Sequence, residues 1–328
     1  MSFRSDLRTR SRNRPRRVTF PEATDPRTAE AVAEIVRDRL LHPLLVGAPD
    51  DVFAALSSAG GNPDAVAVVD PEASAESHAR ILLDLRRERG MSEDEANARA
   101  REPLVRAAMM VRRGEADGAV AGAVHTTAEV LRAALWCIGA APGVSTVSSS
   151  LYMAVSDFRG QGSEVLTFAD AGVVPEPDAR QLADIALAAA RARVDVVGDS
   201  PQVAFLSYST RGSAAGPAVE RAREAVELFR RLAPAVPCDG ELQADAALIP
   251  SVAERKAPSS PVAGGANVLV FPDLGAANIA YKLVQRLANA TAVGPILQGL
   301  SRPMNDLSRG ATPDDIVDAA CVTSLMAE

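Results

Sequence analysis

Residues 18–46, VTFPEATDPRTAEAVAEIVRDRLLHPLLV, read as strand, helix and strand within one short span. Residues 18–20 and 43–46 are apolar runs of strand length. Between them Asp25 suits an N-cap, Pro26 suits the first helical position, and Ala29, Val32, Ile35 and Leu40 recur at helical spacing. The alternation continues outward. Residues 65–69, 118–121, 203–207 and 268–271 are further strand-like runs separated by segments of helical period. Residues 104–113 predict a helix stopped by Gly114, and residues 220–232 one stopped by Ala233-Pro234. The fold class is therefore α/β: mostly parallel sheets flanked by helices.

A chain of 328 residues exceeds what one hydrophobic core usually serves, so one large α/β domain or two domains sharing a cleft are expected. Gly- and Pro-bearing stretches at 139–143 and 298–303 mark the candidate boundaries. No signal peptide and no apolar run of membrane-spanning length stands out, so the expected location is the cytoplasm. A net charge of -7 argues against nucleic acid as a partner, and seven arginines within the first seventeen residues read as a solvated, frayed arm. Cys137, Cys238 and Cys321 are widely separated and form no CxxC pair, so they read as reduced, buried small hydrophobes.

The usual phosphate cradles GxxxxGK[ST] and GxGxxG are missing after every expected strand, as is the nucleophile elbow GxSxG. His42, His78 and His125 have no metal-binding spacing, so no metal is expected. The densest polar cluster is residues 305–315, NDLSRGATPDD. Its plain reading is a helix start: Thr312 caps, Pro313 follows, and Asp315 completes a capping box. Its functional reading puts the Arg309 fork and Ser308 on an anionic substrate, with Asp315 as base. The two are compatible. A second cluster, residues 121–132, joins a strand of small residues to a helix. Thr126 and Glu129 fit another capping box there, and Arg132 lies further along. His125 reads as a satisfied structural histidine. Three further polar islands, 205–214, 239–245 and 271–278, fall where strands feed loops, the edge on which open α/β sheets bind ligands.

The segments GEADGAVAGAVHTTAEVLRAAL (114–135), SPVAGGANVLVFPDLGAANIAYKLVQRLA (260–288) and GPILQGLSRPMNDLSRG (294–310) together resemble the phosphate acetyltransferase family, in its short form comprising the catalytic region only. The resemblance runs from Phe20-Pro21-Glu22 to the C-terminal helix. It implies a first lobe of residues 1–143 and 299–328, a second lobe of residues 144–298 inserted into it, an active site in the cleft between them, and a homodimer. It also implies reversible acetyl transfer between coenzyme A and phosphate in a ternary complex. Coenzyme A, acetyl-CoA, acetyl phosphate and inorganic phosphate would be the partners, with no further cofactor. By motif, Asp315 would be the base, and Ser308 and Arg309 would orient and stabilise the acyl phosphate. Arg86, Arg132, Arg286, Thr126 and Thr127 would bind substrate. Phosphate butyryl- or propionyltransferase, a non-catalytic acyl-CoA-binding module and a related decarboxylating dehydrogenase are the alternatives. The chain departs from the family pattern at Val105-Arg106-Ala107, where an aromatic is frequent, and at Ala311, where a cysteine is frequent.

The chemistry sets one demand. A thiol with an ordinary pKa near ~8.5 needs a base, and an ordinary aspartate lies roughly 4.5 units lower, so full proton transfer to it costs on the order of 6 kcal/mol. Asp315 must therefore be desolvated, or the transfer must be concerted with attack. Arg309 is expected to point at substrate and not at Asp315.

Overall fold

The structure, a computed structural model, describes residues 2–73, 75–160 and 162–327. The chain divides into two compact units, one built from the chain up to Pro142 and again from Leu300 onward, the other from Gly143–Gly299. Numbered along the chain, the strands are β1 (Arg17–Phe20), β2 (His42–Val46), β3 (Ala67–Val69), β4 (Gly118–Ala121), β5 (Ser148–Val155), β6 (Glu164–Ala169), β7 (Val203–Leu206), β8 (Cys238–Leu242), β9 (Val268–Val270), β10 (Thr291–Gln298) and β11 (Met304–Asp306).

In the first unit the sheet is wholly parallel, in the order β11-β4-β1-β2-β3. Helix Pro26–Arg37 starts where Asp25 accepts the Arg27 amide, and it buries Ala29, Val32 and Ile35. Strand β4 shows how two helical layers share one sheet. Ala119 and Ala121 pack with Val105 and Met109 of helix Pro103–Arg113 and with Leu82 of helix Ala75–Arg86. On the other side of the same strand, a Cβ on Gly118 would lie 2.4 Å from Thr323 Cγ2 of helix Pro313–Met326. Side chains alternate along a strand, so these helices lie on opposite faces.

The arginine-rich start is not a frayed arm. It forms helix Phe3–Asn13, in which Phe3, Leu7 and Ser11 recur every four residues and are buried. The helix packs on Pro313–Met326, and Ser11 Oγ donates to the Leu40 carbonyl at 2.9 Å. Burying Phe3 and Leu7 contributes about 1.5–3 kcal/mol each. The arginines on the other positions mask this narrow stripe in the sequence.

The second unit carries a six-stranded sheet in the order β10-β5-β6-β9-β7-β8, antiparallel across β10, β5 and β6 and parallel beyond. Val203, Phe205, Val268 and Val270 face the cluster built with helices Ala179–Val196 and Pro217–Leu232. The alternating Ala204, Leu206 and Leu269 face helix Leu274–Leu287 through Ala277 and Tyr281. Among the described residues no helix is long and apolar enough to cross a membrane. The three cysteines are buried, and burial pushes the thiols of Cys137 and Cys321 up to about 12.

Candidate active site

Three parallel strands of the first unit, β1, β4 and β11, end side by side, with Asp306 opposite Ala121 and Thr19 opposite Ala119. Their C-terminal ends deliver Glu22, the loop after β4 and the loop after β11 to one edge of the sheet. Edges of this kind hold ligands in open α/β sheets.

Glu22 organises that edge. One carboxylate oxygen accepts the amides of Gly122 and Ala123 at 2.9 and 2.7 Å; the other accepts those of Val124 and His125 at 3.0 and 2.8 Å, and His125 Nδ1 lies 2.8 Å from it. Burial pushes the Glu22 pKa up, but the His125 side chain and the backbone amides outweigh it and hold the group below the ordinary range. The same bond raises His125. Arg27 is the second clamp. Its guanidinium pairs with Asp25 and donates to Ala123 O at 2.7 Å and to Arg309 O at 2.7 Å, so it ties the two loops together.

Asp306, 3% exposed at the end of β11, accepts the Thr127 hydroxyl at 2.6 Å. Desolvation raises its pKa to about 6. Gly122 sits against it with φ of 109°, and a Cβ there would fall 2.4 Å from Asp306 Oδ1 and 2.6 Å from the Leu307 amide. Glu22, Arg27 and Asp306 were not singled out from sequence as site residues. Glu22 and Arg27 belong to the segment at the first strand-to-helix turn, and Asp306 to the polar cluster 305–315, but charge alone does not mark a hub.

The expected residues fall into three groups. Thr126, Thr127 and Arg132 lie on or beside helix Thr127–Ala133 and are exposed, with Thr126 and Glu129 forming the capping box. Ser308 and Arg309 lie in the exposed loop after β11; Ser308 Oγ accepts the Gly310 amide at 3.2 Å, and among the described residues the Arg309 guanidinium makes no ion pair. Arg86 ends helix Ala75–Arg86 with its guanidinium 5.3 Å from the centre of the Trp136 ring, a few residues beyond Arg132. Arg286 belongs to the second unit, exposed on helix Leu274–Leu287.

Asp315 occupies the third position of helix Pro313–Met326, with its capping box formed. Oδ2 accepts the Thr312 amide at 3.0 Å and hydroxyl at 2.8 Å, while Oδ1 accepts Arg4 Nη2 at 3.1 Å. Its side chain is 41% exposed, so the concerted alternative is the one this geometry fits. The arginine it meets is Arg4, not Arg309. At the departures from the family pattern, Arg106 is buried against the His78 ring and Ala311 is buried with no thiol in its place.

Two of the polar islands of the second unit form a satisfied network: Glu241 accepts from Ser209, Gly212 and Arg223, and its pKa is held to about 2, burial notwithstanding. A groove of about 770 Å³ there, lined by Glu176, Arg221, Asp273 and Asn278 among others, contains none of the expected catalytic side chains.

A parallel α/β sheet whose strand ends present hydroxyls, an exposed guanidinium and a carboxylate has the form of an α/β ligand-binding edge, and the likeness to known proteins gives its class as a transferase. The family described as "Phosphate acetyl/butaryl transferase" matches residues 2–324. A phosphate acetyltransferase of Acetivibrio thermocellus is 43% identical over 332 residues, spanning 100% of this chain and 99% of that one. Another, from Thermoanaerobacterium thermosaccharolyticum, is 41% identical over 330 residues and spans 100% of both. The crystal structure of a phosphotransacetylase from Streptococcus pyogenes matches with a TM-score of 0.92 at 38% identity, over 100% of this chain and 99% of that one. The chain belongs to the phosphate acetyl/butyryl transferase family.

Proposed function

We infer that the chain catalyses reversible acetyl transfer, acetyl-CoA plus phosphate giving acetyl phosphate plus coenzyme A. The observation that carries this reading is Ser308, Arg309 and Asp315 following β11 at the sheet edge, in a chain matched end to end by phosphate acetyltransferases. Those names favour acetyl over butyryl transfer.

In the proposed course the coenzyme A sulfur attacks the acetyl carbonyl, a C–S bond forms, the anhydride C–O bond breaks, and phosphate leaves. Asp315 takes the thiol proton as attack proceeds. Arg309 offers a planar fork to the developing negative charge on carbonyl and phosphoryl oxygens, and Ser308 adds a neutral hydrogen bond. Arg132 and Arg86, with Thr126 and Thr127, bind coenzyme A and phosphate oxygens, and Arg286 contributes to coenzyme A binding. Written this way the reaction calls on no metal and no cofactor besides coenzyme A, itself a substrate.

The test follows acyl phosphate-dependent loss of free coenzyme A thiol in metal-depleted buffer, across acetyl, propionyl and butyryl phosphate. Fastest turnover with acetyl phosphate supports the reading; no activity with any of the three sinks it. A homodimer in the cytoplasm belongs to the same reading, and a monomer in analytical ultracentrifugation would count against that part.

A further inference from the structure

We propose that Arg4 is a positioning residue for the transfer reaction, holding the Asp315 carboxylate in a single orientation. This rests on the assignment of Asp315 as base.

A carboxylate has about four lone-pair sites. On Asp315 the Thr312 amide and hydroxyl fill those of Oδ2, and Arg4 Nη2 takes one of Oδ1. One site on Oδ1 is left for an incoming proton, and its direction is set by the Arg4 contact. With the cap alone, the second oxygen would have no fixed partner.

Arg4 is itself drawn to further carboxylates by charge. Its Nε lies 2.7 Å from Oδ2 of Asp318, and its Nη1 lies 3.8 Å from Oδ2 of Asp314. The Asp318 side chain is only 2% exposed, and desolvation raises its pKa to about 6 against the pull of Arg4 and Arg8. A buried carboxylate of this kind requires a cation, so Arg4 is drawn to one place. Asp315 and Asp318 stand three residues apart on one helical face, where a single guanidinium spans both. Helix Phe3–Asn13 is in turn docked through buried Phe3 and Leu7. The charged groups around Asp315 are thus Arg4 from that helix and Asp314 and Asp318 from its own, with Arg8 bridging Asp314 at 3.0 Å and Glu34 at 2.8 Å.

The experiment measures kcat and both KM values for the full chain and for Arg4→Gln, Arg4→Lys, Arg8→Gln, Asp315→Asn and the Arg4→Gln/Asp315→Asn double variant. Arg4→Gln is expected to lower kcat roughly tenfold, the effect of one charged hydrogen bond, with KM for coenzyme A within about twofold. Lysine keeps the charge, and with it the fold, but lacks the fork, so its kcat falls between wild type and Arg4→Gln. Arg8→Gln loses thermal stability and keeps kcat. In the Asp315→Asn background, Arg4→Gln lowers kcat no further.

Wild-type kcat in both Arg4 variants, with Asp315→Asn inactive, overturns the role of Arg4 and leaves the base assignment standing. The role of Arg4 is likewise rejected if Arg4→Gln has an equal effect in the Asp315→Asn background, or if Arg8→Gln lowers kcat as much. Wild-type kcat in Asp315→Asn overturns the base assignment and the role of Arg4 with it. If Arg4→Gln does not fold, Arg4→Lys decides alone, and wild-type kcat there rejects the proposal.

Discussion

Glu22 and Asp306 are two buried carboxylates at one sheet edge with opposite electrostatics, and their pH behaviour should differ in sign. Glu22 has five donors around it and a lowered pKa. Its stabilisation is therefore present above the ordinary 4.5 and lost as pH falls through its lower folded value. Glu22→Gln should cost about 2–4 kcal/mol of stability at pH 7, read from urea unfolding, with the gap to wild type closing in acid. Asp306 titrates near 6 because burial outweighs the Thr127 hydrogen bond and the nearby Leu307 amide, so it favours folding when protonated. Wild type should gain on the order of 3 kcal/mol over Asp306→Asn as pH falls from above 6 to below the ordinary 3.8, read from urea unfolding at each pH. A flat difference would show that burial does not set this group. For the reaction itself, Asp315→Asn should lower kcat by about 10²–10⁴ with little change in KM for coenzyme A. Arg132→Ala should mainly raise that KM. Steady-state kinetics with the reverse pattern would mean the two roles are exchanged.

Among elements, the loops after β4 and β11 behave as one piece, because Gly122 touches Asp306 and Leu307 while Arg27 bonds both loops. Gly122→Ala would force a Cβ into Asp306 Oδ1 at a φ that only glycine adopts readily. The expected outcome is a loss of at least about 1–3 kcal/mol in thermal unfolding, together with a fall in kcat as Ser308 and Arg309 shift. Helix boundaries were legible because their signals are local: Asp25-Pro26, Gly114, Thr126 with Glu129, and Thr312 with Asp315 all act where their residues stand. Strands β5, β6, β8, β10 and β11 were not. Strand β5 opens on three serines, yet all eight of its residues are buried, with Ser149 bonded to Asp170 and Ser150 to Gln298. Strand β10 contains Gly294-Pro295, tolerated because it lies at the sheet edge with an irregularity there. Strands β8 and β11 read as polar loops until their partners are known.

Across the whole molecule, all six strands of the second sheet and both of its apolar clusters come from the continuous segment Gly143–Gly299. That segment, expressed alone, should fold with a single cooperative transition and retained near-UV dichroism, whereas a fragment ending at Pro142 lacks β11 and helix Pro313–Met326 and should not. Non-cooperative melting of Gly143–Gly299 would show that its core needs the rest of the chain. The sequence by itself determined the α/β class, the start and stop of the helices, the candidate residues Ser308, Arg309 and Asp315, and the family, because caps, periodicity and contiguous motifs are properties of neighbouring residues. Only the tertiary structure decided that the arginine-rich start is a docked helix gripping Asp315, and that Glu22, Arg27 and Asp306 bind the loops into one edge. Those interactions join groups about a hundred to three hundred positions apart, and the hydrogen bonds that lower the Glu22 pKa and the burial that raises that of Asp306 exist only once the chain has closed around them.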